Sequence, residues 1–175
     1  MLNPTLRAPL DVLHKLEREM HRAFHHGNYV HKADHFYNFC ITAHSLKDAI
    51  LAHVQITAEL EKQTKYAEWN AHPLLKAATE IANTAKHFEL RKSPTTKALA
   101  LTRSTVIEVR IAESGEIKNV PMEAPDYKVV LPDDTEVPLF EFTRGIIDFW
   151  RAYLVSSGIP YKPQQEHTFF GDHEP

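Results

Sequence analysis

The chain has 175 residues, 43% hydrophobic and 25% charged, the composition of an ordinary globular protein. Its formal net charge of -3 argues against a surface built globally for nucleic acid, so such a ligand would need a local basic patch. A single cysteine, Cys40, rules out an internal disulfide framework and fits a reducing cytoplasm. No apolar run approaches the ~20 residues that span a bilayer, so no membrane partner is expected.

Leu6, Leu10, Leu13, Leu16, Met20 and Phe24 recur at three- and four-residue spacings, which predicts a first amphipathic helix with these residues inward. Gly27 and Asn28 tolerate the left-handed conformation and are expected to end it. A second, longer helix is predicted over residues 33–69, with Phe36, Phe39, Ala43, Leu46 and Ile50 as its inward stripe. Its other side carries Tyr37, Cys40, Ile41, His44 and Leu51, so the helix is apolar nearly all round and must be covered twice. The second cover is expected to be another helix of the chain or a partner subunit. A homodimer using some of Tyr37, Ile41, His44 and Leu51 is the prediction.

Pro73 suits the first turn of a third helix, where its missing amide hydrogen has no partner to lose. That helix is expected to bury Leu74, Leu75, Ala78, Ile81, Ala82, Ala85 and Phe88. Lys76, Thr79, Glu80, Asn83, Lys86 and His87 then face away from the core. After Ser93-Pro94 the period changes: Ile107, Val109 and Ile111 alternate with Glu108 and Arg110, the signal of a half-buried strand. Ser114-Gly115 reads as a hairpin turn, and Pro132-Asp133-Asp134 as the turn of a second short hairpin. Pro138 opens a last helix with Leu139, Phe142, Ile146, Phe149 and Tyr153 inward, closed by Gly158. The expected fold is α+β and mainly α. It is a four-helix bundle within residues 1–160, with a small antiparallel β-hairpin insertion at about 104–138 before the last helix and an extended tail over 161–175.

Chemistry is thinly signposted. His21, His25, His26, His31 and His35 crowd the end of the first helix. His21 and His25 have the one-turn spacing that metal sites use, but no cysteine or HExxH pattern accompanies them, and no metal or cofactor is assigned. On the third helix an amide, an ammonium and an imidazole, Asn83, Lys86 and His87, share one turn. Imidazole titrates near neutrality, so His87 is the candidate acid–base group. Asp48 is the candidate that orients it if the second and third helices pack antiparallel. Arg91 and Lys92 extend the basic character and, with His44, are candidate binding residues for a phosphate-containing ligand.

"NFCITAHSLKDAI" (residues 38–50) and "EIANTAKHFEL" (residues 80–90) together resemble a group of uncharacterised bacterial and prophage-borne proteins that read NFFVTAWHLxDW and RDIANxxKHF. Many of these end in a helix with an FW pair, as Phe149-Trp150 does here. More distantly the arrangement is similar to the HEPN superfamily of helical bundles. That resemblance implies a dimer, an RNA association and a link to toxin–antitoxin or phage-defence systems. The superfamily's ribonucleases pair a His with a preceding Arg, whereas Thr79 and Glu80 stand where the related pattern has Arg-Asp. A binding or interaction module is therefore the leading expectation. The alternatives are a metal-independent ribonuclease using His87 and a metal-dependent hydrolase using clustered histidines.

Overall fold

Asp11 sets the start of the first helix: its carboxylate accepts hydrogen bonds from the backbone N–H groups of Arg7 and Ala8, both at 2.9 Å. Pro9 occupies the first helical turn, where no N–H is needed. Helix α1 then runs Pro9–His25. Asn28 begins the next helix rather than merely closing the first, because its side chain accepts from the N–H groups of Val30 and His31. The computed structural model describes residues 6–26, 28–86, 97–111 and 117–163; for Tyr29, 84–86, 97–111 and 117–126 the description is of the backbone.

Helix α2 spans Tyr29–His53, and α3 follows over Glu59–Asn70. The single helix expected over 33–69 is therefore two. Gln55, between them, has φ 59°, a left-handed conformation that no continuing helix accommodates. The local cause is legible afterwards: Val54, Ile56 and Thr57 are β-branched and weaken the helix just where the chain turns. Glu59 and Glu61 in the first turn of α3 then favour a new start.

Helix α4 runs Pro73–Lys86, beginning at the expected proline, and α5 runs Leu139–Ser156, between Pro138 and the left-handed Gly158 at φ 78°. Between α4 and α5 lie strands β1 (Lys97–Ile111), β2 (Ile117–Val130) and β3 (Glu136–Pro138). They form an antiparallel sheet in the order β1-β2-β3, with Ile107 opposite Pro121 and Val129 opposite Val137. The proposed Ser114-Gly115 turn falls outside the described residues. The second turn is as the sequence indicated: Leu131 N–H donates to Thr135 O at 2.9 Å, and Asp134 takes φ 63°. The described chain is thus mainly helical, with five helices and a small antiparallel sheet ahead of the last one.

The inward stripe of α2 is as predicted, with Phe36, Phe39, Ala43, Leu46 and Ile50 all buried. Each phenylalanine removed from water there contributes about 1.5–3 kcal/mol. α2 is the central helix and packs against α1 and α4. Phe36 also meets Tyr127 of β2, with rings 6.3 Å apart and nearly parallel, and Phe142 of α5 at 6.0 Å. Cover from within the chain accounts for Cys40 and Leu51, both buried, so Leu51 cannot belong to an exposed dimer face. Tyr37 is exposed, while Ile41 and His44 are half-buried.

Candidate functional site

Helix α3 changes the surroundings expected for Asp48. Its carboxylate accepts a hydrogen bond from the Tyr66 hydroxyl, and the ring of His44, one turn earlier on α2, lies 6.4 Å from the Tyr66 ring. Asn83 is half-buried on α4, and Lys86 is the last residue of that helix. His87, Arg91 and Lys92 lie outside the described residues, and so does the expected approach of Asp48 to His87.

Between His44 and Asp48 the structure closes in a group that periodicity assigned to no site. Lys47 is only 1% exposed. Its ammonium donates to Asn70 Oδ1 at 2.6 Å and to Thr79 Oγ1 at 2.8 Å, tying α2 to the end of α3 and the middle of α4. Thr79, expected on the outer face of its helix, therefore turns inward, and its own hydroxyl donates to Leu75 O at 2.9 Å. Burial lowers the Lys47 pKa from 10.5 to about 8, only partly opposed by the charge of Asp48. Burial and the bond to Asp48 push the Tyr66 hydroxyl the other way, well above its ordinary value. The seam between α2, α3 and α4 thus holds an amine able to lose its proton near neutrality, a hydrogen-bonded carboxylate–phenol pair and an imidazole. Aromatic packing walls it: Trp69 meets Trp150 and Tyr153 edge-on, each at 5.6 Å.

A second polar cluster fastens α1 to α2. Glu19 is buried and accepts from Arg22 Nη1 at 3.1 Å and His35 Nδ1 at 3.0 Å, with Lys15 Nζ at 4.0 Å. Lys15 also donates to the buried Thr42 hydroxyl at 2.5 Å. The neighbouring histidines meet as rings: His21 with His25 at 4.2 Å, and His26 with His31 and His35 at 4.7 and 5.7 Å. Among the described residues no group of three or more His, Cys, Asp or Glu side chains is placed to share a metal ion.

The third feature overturns an expectation about the core. Phe24, counted in the α1 stripe, is 41% exposed, and so is Phe140 at the start of α5. The two rings lie 5.3 Å apart across the ends of their helices. Lys32 Nζ sits 6.0 Å from the Phe24 ring centre, and the Arg144 guanidinium 5.9 Å from that of Phe140. His25 completes the border with its ring 5.1 Å from Phe24. Helical periodicity counted Phe24 with the inward residues of α1, but at the end of that helix its ring meets Phe140 and stays exposed. The sequence signal for this site was the His21-x-x-Phe24-His25 pattern, which surrounds the aromatic with titratable rings on a helix end.

No helix among the described residues is long and apolar enough to cross a membrane. Comparison with models of known families, with curated proteins and with solved structures gives no match.

Proposed function

We propose that this chain is a non-catalytic, HEPN-like binding module that holds single-stranded RNA at the end of the α1–α5 seam. The observation that carries this reading is the exposed Phe24–Phe140 pair, with the exposed Arg144 guanidinium against Phe140 and the largely buried Lys32 beside Phe24. Successive bases stack on exposed aromatic rings while an exposed cation, here Arg144, meets the phosphates, and each stacked base contributes about 1–3 kcal/mol. The patch is local, as a chain with net charge -3 requires. RNA rather than DNA, and a cytoplasmic defence or toxin–antitoxin setting, come from the resemblance of residues 38–50 and 80–90 to bacterial and prophage proteins. Fluorescence anisotropy with a labelled single-stranded RNA tests the reading. Phe24→Ala and Phe140→Ala should each weaken binding about tenfold, with an unchanged circular dichroism spectrum. Equal affinity in wild type and both variants would refute it.

A second reading, a metal-independent ribonuclease using His87 with Asp48, Asn83 and Lys86, is favoured by one observation. His44, Lys47, Asp48 and Tyr66 gather on the seam whose third helix, α4, leads directly to His87. RNA cleavage that persists in chelator and disappears in His87→Ala would move the assignment to this reading. A homodimer remains part of the proposal, now through Tyr37, Ile41 and His44 without Leu51. Light scattering at micromolar concentration that shows only monomer would remove it.

A further inference from the structure

His21 and His25 lie one turn apart on α1 with ring centroids 4.2 Å apart and planes 37° from parallel. Both residues are exposed, and the His25 ring stands edge-on to Phe24. Two imidazolium rings at this separation repel one another, and a counter-charge set against the pair relieves that repulsion. The surroundings are unequal. Arg18 and Arg22 flank the pair on α1, and Lys32 acts on His25 from α2. On α1, Glu17 lies one turn before His21 and is engaged by Arg151 and Tyr161, and Glu19 is buried and engaged by Arg22 and His35. On α5, Arg144 is balanced by Asp148 at 3.5 Å, and Glu141 is exposed. His26, His31 and His35 form a separate ring contact group.

We infer that His21 and His25 form a proton-coupled phosphate subsite, taking the phosphate of a nucleotide whose base lies on Phe24. The inference rests on the reading of Phe24 and Phe140 as a base platform, and it adds the ligand group and the regulation. A phosphate supplies both the negative charge and the acceptor oxygens that two imidazole N–H groups need. Burial, His21 and Lys32, in that order, hold His25 below its ordinary value when no anion is present. His25 is therefore poised to take up a proton when phosphate arrives. Because the bound form holds more protons than the free form, binding tightens as pH falls through the interval between the bound and free titration midpoints.

Nuclear magnetic resonance of the histidine rings, titrated with pH in the presence and absence of inorganic phosphate, tests this on the full chain. Phosphate should raise the titration midpoint of His25 by about one pH unit, while chloride at equal ionic strength should not. His21→Asn should abolish the rise at His25 and leave His26, His31 and His35 titrating as before. An unmoved His25 midpoint, an equal movement in chloride or a rise that survives His21→Asn would each overturn the subsite. Failure of the base platform reads out separately, as RNA affinity that Phe24→Ala leaves unchanged.

Discussion

The Lys47 ammonium on α2 reaches Thr79 Oγ1 on α4 at 2.8 Å, so a cation is closed in among helices by a neutral hydroxyl and the amide of Asn70. Among the described residues no carboxylate bonds it. Its hydrogen bonds hold the three helices in register, but burial of its charge costs stability for as long as the proton stays on.

That cost makes folding pH-dependent in a direction opposite to the usual salt-bridged lysine. The pKa is about 8 in the folded chain against 10.5 for an ordinary lysine, so above pH 8 the unfolded state binds more protons than the folded one. Stability therefore rises with pH, by about 1 kcal/mol between pH 7 and pH 9. Above pH 9 the Cys40 thiol, raised by burial, acts in the opposite sense, because the unfolded thiol ionises first. Urea unfolding at pH 7 and pH 9 should show the rise in wild type and its loss in Lys47→Met. A flat wild-type profile would mean that Lys47 keeps its proton at no cost.

Removing the Glu19 carboxylate should cost about 1–3 kcal/mol, because Arg22, His35 and Lys15 lose a shared acceptor at the α1–α2 interface. Glu19→Gln and Glu19→Ala, followed by chemical denaturation, measure this. The lower end is expected for glutamine, which retains one acceptor oxygen. Loss below about 0.5 kcal/mol would place Glu19 among ordinary surface acids.

The exposed and buried aromatics should separate cleanly by stability. Phe142 is fully buried, and Phe142→Ala should cost about 3–5 kcal/mol. Phe24→Ala removes a ring that is 41% exposed and should cost only about 1 kcal/mol. Paired denaturation curves decide this, and a Phe24 cost equal to that of Phe142 would make the ring structural rather than a binding surface.

Gly145 lies inside α5, where a Cβ would stand 2.7 Å from Leu74 Cδ1 of α4. Alanine gains about 1 kcal/mol of helix propensity over glycine, and the end of a leucine side chain can turn aside. Gly145→Ala should therefore stay within about 1 kcal/mol of wild type. Gly145→Val presses two further methyl groups into the same contact and should lose about 2 kcal/mol or more. Thermal melts of the two variants check the difference, and equal melting temperatures would show that Leu74 leaves room.

By itself the sequence determined the inward stripe of α2, because a period near 3.6 fixes which side of a helix must leave water, whereas in α5 Trp150 and Leu154 are buried where Phe149 and Tyr153 were expected. Phe36, Phe39, Ala43, Leu46 and Ile50 are buried for that reason, and Pro73 and Pro138 mark helix starts because proline has no N–H to lose. It also determined a β segment ahead of the last helix, through alternation at Ile107, Val109 and Ile111. Tertiary structure alone decided how far each stripe is covered. The break at Gln55 carries neither glycine nor proline, so α3 could fold back and set Tyr66 against Asp48 without a local punctuation mark. Lys47 is buried because its ammonium finds Asn70 and Thr79 on other helices, and partners so distant in the chain leave no period to read. Phe24 counts as inward by its spacing yet remains exposed beside Phe140, because periodicity marks a side of the helix while only the length and placement of neighbouring helices decide whether anything stands there to cover it.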